Sequence, residues 1–403
     1  MFRLLIPALL LSFVNVLGFS LLIPVLPFIV DDFGLSQVWY GALLSSYAAA
    51  LFFGAPLLGA LSDVFGRKRL LIISQAGTLF SWVLFAAALF IPADIVFAGL
   101  PVAVYVIIVS RVIDGLTGGN NSVVSALVSD VTRPDQRARA YGIIGATFGV
   151  GFMLGPALGG LTAQSSSGYL GTIVFAFCLS AMTLVSLFFL REPARTSSSD
   201  WKRLVAARVN VFGTLWSYRA SGIIAYTLSV KFVVVVAFTS FTSVLSLFLI
   251  DYVGLSAVGI GLFFLVIGAY AVFNQGVLVG AVSDRIGSAR TLVLGTLFLS
   301  AGMAAWFFSS NVWVLLALSL LFSVGSAFVF PTVKALLSVH ADAAKQGEVM
   351  GLEESLRSLA QAGMPVLSAL LYVSFGPVIF LWYAGFALCV STPLALRIVA
   401  QKS

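Results

Sequence analysis

Only 9% of this 403-residue chain is charged, so the charges that interrupt its long apolar runs are the first candidates for chemistry. Taking a charge out of water is costly unless it is paired, and such a residue needs a partner or a purpose. Arg111 and Asp114 are three residues apart, which on a helix puts them on one face within pairing distance. A carboxylate beside a fixed positive charge can load and release a proton when its surroundings change. The same two residues also fit a static ion pair that orients their helix. Lys231 has no neutralising neighbour in sequence. It fits either a cation that faces a central cavity, attracting anionic substrate groups or the Asp114 acid, or a lysine snorkelling toward the cytoplasm. Lys334, Glu353, Glu354 and Arg357 sit closer to the ends of their runs, and the i,i+4 spacing of Glu353 and Arg357 predicts a salt-bridge gate. Asn120, Asn121, Asn274 and Gln275 offer hydrogen-bonding groups either to a cavity or to neighbouring helices.

Several chemistries are excluded by what the chain lacks. There is one histidine, His340, read here as lying in a loop, and a single imidazole makes no metal site. No HExxH motif, no Ser/His/Asp set and no clustered metal ligands occur, so neither an enzyme nor a metal or other cofactor is expected. Cys178 and Cys389 fall inside apolar runs and read as small core hydrophobes.

The elements that hold these residues follow from composition. With 60% hydrophobic residues, the chain carries uncharged runs such as 4–30 and 312–330. These approach or exceed the ~20 residues a helix needs to cross ~30 Å of hydrocarbon. Apolar length, loop charge and turn residues predict an all-α membrane protein of twelve helices, over residues 4–30, 38–62, 70–91, 100–128, 138–163, 168–190, 221–250, 257–282, 291–309, 312–338, 350–373 and 377–397. Residues 191–220 read as a basic, Ser-rich cytoplasmic linker with a short surface helix near 201–209. The linker divides an N-terminal bundle of six helices, 1–190, from a C-terminal bundle of six, 221–403. The first run is too long for the apolar core of a cleavable signal. The net charge of +7 needs no nucleic-acid partner, because Arg67, Lys68, Arg69, Arg137, Arg203, Arg285, Arg290 and Lys345 fall in alternate connections. Those connections are then cytoplasmic, as are both termini, in a plasma (inner) membrane protein that spans the bilayer as a monomer.

An internal repeat agrees with this division. At an offset of about 220 residues, Asp31, Gly34, Leu35, Ser36, Val38 and Gly41 align with Asp251, Gly254, Leu255, Ser256, Val258 and Gly261. Gly59, Ala60, Ser62, Asp63, Gly66 and Arg69 likewise align with Gly280, Ala281, Ser283, Asp284, Gly287 and Arg290. Parallel repeats of this kind build transporters whose site lies between rocking halves.

The segment Gly59-Ala-Leu-Ser-Asp63-Val-Phe-Gly66-Arg67-Lys68-Arg69 resembles the signature loop of the major facilitator superfamily, and its second copy spans Asp284, Gly287 and Arg290. The resemblance implies a latch that holds one conformation of a transport cycle. Gly151, Gly155, Pro156, Gly159 and Gly160, with Gly145 and Gly149, resemble the helix-5 motif of the drug:proton antiporter branch, although glycines at this spacing also make a plain packing groove. The run from Gly18 to Pro27 is similar to tetracycline-efflux proteins. Arg111 matches the family's helix-4 Arg-x-x-x-Gly pattern, which implies a part in proton coupling. Asp114 is no usual part of that pattern and rests on local chemistry. Asn15 departs from several tetracycline-efflux relatives, which carry an acid there; an amide carries no proton at physiological pH. Asn15 is then a cavity group, and the burden of coupling moves to Asp114. The reading is a proton-coupled efflux transporter of a small amphipathic organic compound, with drug resistance as the implied outcome. A facilitator or symporter of a small metabolite and a non-transporting receptor or scaffold are the alternatives.

Overall fold

A computed structural model describes residues 2–131, 137–190, 213, 216, 218, 222–341 and 346–401. The surface helix expected near 201–209 and most of the basic linker lie outside the described residues. In a bilayer the backbone must satisfy its own polar groups, and apolar runs of this length therefore coil into helices. Among the described residues nine helices are long and apolar enough to cross a membrane, and a bent pair makes a tenth. The chain clusters into two units, Met1–Asn210 with Ser256–Phe264, and Val211–Leu255 with Leu265–Ser403.

The first unit begins with α1 (Phe2–Leu21) and α2 (Leu26–Asp32), which meet at a bend of 42°. A single straight helix over 4–30 was the expectation. Pro24 supplies the break: it has no N–H to donate and disfavours helical geometry at Ile23 before it. Next come α3 (Val38–Phe65) and α4 (Arg67–Ala88). A two-residue hairpin follows, β1 (Val96–Phe97) against β2 (Leu100–Pro101), the one departure from an all-helical chain among the described residues. Its turn residues Ala98 and Gly99 both have positive φ, 48° and 85°, the handedness that suits a tight hairpin. α5 (Val102–Gly118) and α6 (Asn120–Val131) replace the single helix expected over 100–128, with Gly119 at the junction. α7 (Arg137–Ala163) and α8 (Tyr169–Phe188) complete the unit's helices.

In the second unit α9 (Gly222–Asp251) lies along α14 (Gln346–Phe375). α10 (Ala257–Phe273), whose residues up to Phe264 belong to the first unit, runs through a π-helical turn at Asn274–Leu278 into α11 (Val279–Ile286). α12 (Ser288–Ala305) packs along α13 (Val312–His340), and α15 (Ile379–Phe386) leads through a second π-helical turn to α16 (Thr392–Ala400). His340 is the last residue of α13, its Nδ1 2.8 Å from the Leu336 carbonyl oxygen, rather than a loop residue.

Close helix approach is made by small residues. A Cβ on Gly302 would stand 2.6 Å from the Phe322 Cα, so α12 and α13 touch backbone to backbone there. The outer faces carry exposed Phe53, Phe90, Phe189 and Trp313. Cys178 and Cys389 are exposed as well, not core residues as expected. A membrane helix is apolar on its lipid side too, and an apolar run therefore does not reveal which way a small hydrophobe faces.

Candidate functional site

Two charges enclosed in the first unit are Arg111 and Asp114 on α5. Their side chains are 2% and 7% exposed, and Arg111 Nη1 lies 3.1 Å from Asp114 Oδ2. The guanidinium sits over the rings of Trp82 and Phe85, 4.7 and 5.0 Å from their centroids, so π faces of α4 stand where water would be. Two α4 hydroxyls are bonded elsewhere: Ser81 donates to the Thr78 carbonyl oxygen at 2.7 Å, and Thr78 Oγ1 lies 3.2 Å from Thr117 Oγ1. Asp114 is a carboxylate facing one fixed cation.

Asn15 of α1 donates to the side-chain oxygen of Asn120, the first residue of α6. The Asn120 Nδ2 and Asn121 Oδ1 atoms are buried with no hydrogen-bond partner among the described residues. Phe19 stacks on Tyr47 with ring centroids 5.0 Å apart. The Tyr47 hydroxyl would lie 3.1 Å from a Cβ on Gly118. Amide and aromatic groups from α1 and α3 thus meet the α5–α6 junction, which begins one turn after Asp114.

The signature loop is a charge cluster around Arg67, 5% exposed. Arg67 binds Asp63 at 2.7 Å and Asp130 of α6 at 2.9 Å, and donates to Ser62 Oγ at 2.5 Å. Gly66 joins α3 to α4 at φ 99°, a conformation that residues with a Cβ rarely adopt. The second copy keeps the backbone, with Gly287 at φ 84°, but Ser288 stands where the first copy has Arg67. Asp284 and Arg290 are exposed, and among the described residues no ion pair joins them. A hydroxyl contact of 3.2 Å between Ser283 and Ser288 stands there instead.

On α7 the glycines seat two other segments. A Cβ on Gly151 would be 3.1 Å from the Phe13 carbonyl; on Gly155, 2.9 Å from Ser20 Cβ; on Gly159, 2.9 Å from the Leu21 carbonyl carbon. Gly160 faces Val258, 2.9 Å from its Cα, and Gly261 faces the Pro156 carbonyl carbon at 3.1 Å, all within the first unit.

In the second unit Lys231 pairs with Glu353 of α14, each side chain 3% exposed, and its ammonium lies 4.6 Å from the Phe330 ring centroid. Arg357 pairs with Glu354, its Nε at 3.0 Å, in place of the expected Glu353–Arg357 bridge. The reason is the cost of an uncompensated buried cation: Glu353 faces α9 and neutralises Lys231, leaving the more exposed Glu354 for Arg357. Lys334 is exposed on α13. Asn274, within the π-helical turn, donates to Ser323 Oγ at 3.0 Å, while Gln275 beside it is exposed. Among the described residues no three metal-ligating side chains come together.

The sequence profile described as Major Facilitator Superfamily matches residues 8–352 and 275–401. The chain belongs to the Major Facilitator Superfamily. It is a multi-pass membrane transporter. A tetracycline resistance protein of class G from Vibrio anguillarum is 29% identical over 368 residues, covering 91% of this chain and 89% of that protein. The class H protein from Pasteurella multocida is 27% identical over 375 residues, covering 90% and 88%. Among solved structures the human organic anion transporter MFSD10 superposes with a TM-score of 0.73 at 23% identity, over 97% of this chain and 99% of that one. This last likeness concerns the fold. Within the superfamily fold, sequence reasoning overlooked Trp82, Phe85 and Asp130 as partners of the two arginines. Their separations, up to 63 residues for Arg67 and Asp130, leave no local spacing to read. One signal was available: a lysine inside an apolar run requires an acid from elsewhere, and Glu353 is among the few near an apolar run.

Proposed function

We propose that this transporter exports a small amphipathic organic compound in exchange for protons, by alternating access. The observation that carries the reading is the Arg111–Asp114 pair, a titratable carboxylate enclosed with its cation beside aromatic rings, one turn before the junction that holds the unsatisfied amides. Relatives named as tetracycline resistance proteins along nine-tenths of the chain support efflux. Asn15, bonded to Asn120, supports a substrate other than tetracycline. In this reading Asp114 takes a proton when Arg111 withdraws in one state and returns it when the pair closes in the other. Asn120 and Asn121 bind the cargo's polar groups, and the Arg67 cluster latches the cycle.

The reading includes twelve crossings in two similar halves, joined by a cytoplasmic linker over 191–220, with both termini cytoplasmic. The 52-residue stretch Val349–Ala400 supports the count. At ~1.5 Å per residue it is more than twice as long as the hydrocarbon core is thick, and it turns at Gly376–Val378. The 27-residue α7 supports a further crossing. The matched positive φ values of Gly34 and Gly254, 65° and 72°, and of Gly66 and Gly287 support the repeat.

The test is proton flux in vesicles reconstituted with the full chain. Addition of a transported compound should release protons in wild type, and an imposed pH gradient should drive accumulation. Asp114→Asn imitates the protonated form and should exchange compound without accumulating it. Gradient-driven accumulation by a well-inserted Asp114→Asn variant would reject the assignment.

A further inference from the structure

The connection between α4 and α5 holds none of the residues assigned to transport, yet four of its eight residues from Phe90 to Phe97 are large, apolar and exposed: Phe90, Ile95, Val96 and Phe97. Single exposed apolar side chains are ordinary, whereas a contiguous run of them marks a surface that something covers. The geometry says where the hairpin lies. Phe97 pairs with Leu100, the Val102 N–H donates to the Ile95 carbonyl at 2.8 Å, and the Tyr105 hydroxyl donates to the Phe97 carbonyl at 3.1 Å. The backbone thus bonds to its own chain where an irregular loop would leave polar groups to water. Tyr105 is the fourth residue of α5, ~4.5 Å along the helix, and its ring meets that of Phe97 edge-to-face at 6.1 Å. The hairpin therefore folds back beside the first turn of a membrane-spanning helix instead of prolonging its line into water. The side it covers is the lipid side: Val109, one turn after Tyr105 on the same face, is exposed, and so is Leu116 two turns further on. On α4 the exposed Val83 precedes Phe90 by seven residues, again two turns on one face. The connection between α12 and α13, at the matching place of the proposed repeat, has the same character. Phe308 continues the exposed side of α12 that carries Leu294 and Leu297, and Trp313 begins the exposed side of α13 that carries Leu320. Phe90, Phe97, Phe308 and Trp313 are each 67–75% exposed, and neither connection contains a Lys or Arg.

We propose that the hairpin is an interfacial anchor: its apolar edge lies in the headgroup and upper acyl layer of the leaflet opposite the basic connections, with Phe97 inserted among the lipid chains. The occupant is lipid because the exposed rings continue the faces by which α4 and α5 already meet the bilayer. Aromatic and aliphatic side chains on a segment with little charge partition into that layer. Asp94, the one charge from Phe90 to Pro101, stands outside the paired strands and keeps to the aqueous side. Tyr105 joins the two environments, its ring against Phe97 and its hydroxyl on the hairpin backbone. The anchor fixes the depth of α4 and α5, the helices that hold Trp82, Arg111 and Asp114. Phe308 and Trp313 do the same for α12 and α13. This assignment rests on the membrane-spanning fold and is independent of the exchange with protons.

The test is a depth measurement on the full chain in palmitoyl-oleoyl phosphatidylcholine vesicles. A Cys178→Ala/Cys389→Ala background receives a single nitroxide label through Phe97→Cys, Ala98→Cys or Trp313→Cys, with spin-labelled lipids as depth standards. The labels at 97 and 313 should collide more often with dissolved oxygen than with a water-soluble nickel chelate, at a depth of roughly 5–10 Å below the phosphates. The label at 98 reads the anchor itself. Adding Val96→Ser and Phe97→Ser should release it to the aqueous level. Adding Phe97→Leu, which loses the ring contact with Tyr105 but stays apolar, should leave its depth unchanged, and this separates attraction to lipid from packing on α5. Aqueous-level collision with the nickel chelate at position 97, or an unmoved label at 98 in the serine variant, would overturn the proposal. So would protection of position 97 from both reagents together with spin–spin broadening that unlabelled chain dilutes away, because a second copy of the chain would then cover this face.

Discussion

A guanidinium has five N–H donors and a flat face, and Arg111 uses both: Nη1 goes to Asp114, Nη2 to Ser110 Oγ at 3.3 Å, and the face to Trp82 and Phe85. Arg67 uses the same inventory on oxygen alone, with two carboxylates and a hydroxyl. Removing the Asp63 charge leaves Arg67 with Asp130 and Ser62, so Asp63→Asn should insert normally. It forfeits one charge-assisted bond worth roughly 1.5–3 kcal/mol. If that bond holds the latched state, transport falls about tenfold or more, read as initial uptake rate at matched membrane abundance. Unchanged uptake reduces the loop to a topology signal. At this scale the sequence was informative about which residues matter and poor about whom they meet. Arg111 with Asp114 was legible because three residues is a helical spacing. Glu353 was assigned to Arg357 by the same logic and went instead to Lys231, since helical spacing says nothing of a cation 122 positions away.

Helices in lipid gain little from apolar contact with each other, so association rests on shape. α7 illustrates this: its glycines admit Leu21 and Ser20 on one side and Val258 on another. Gly159→Val would press a branched side chain into the Leu21 backbone. Overpacking of this sort costs roughly 1–3 kcal/mol. A lower melting temperature in detergent than wild type, with Gly149→Ala as the control that meets open space, is the expected result. The glycine spacing and the apolar lengths were legible in the sequence because they are periodic. The break at Pro24 and the π-helical turns at 274–278 and 387–391 were not read, although proline alone pointed to the first. An extra residue in a helical turn leaves no mark in hydropathy.

For the whole molecule, the partition of basic residues between alternate connections predicts that labels at Ser198 and Ser403 are both accessible only from the cytoplasm. Impermeant maleimide on single-cysteine variants checks this, in a background lacking the exposed Cys178 and Cys389. Labelling of either site from outside overturns the proposed topology. A different consequence follows from the buried charges. Asp114 is matched by Arg111 and Glu353 by Lys231, so each enclosed pair sums to zero. Membrane voltage does work only on charge that crosses it, about 2.3 kcal/mol per elementary charge per 100 mV. These pairs therefore contribute no voltage dependence to the unloaded protein's reorientation, whereas a single added proton makes the same movement carry current. In the proposed exchange, a cell's membrane potential thus acts at the step in which Asp114 carries its proton across.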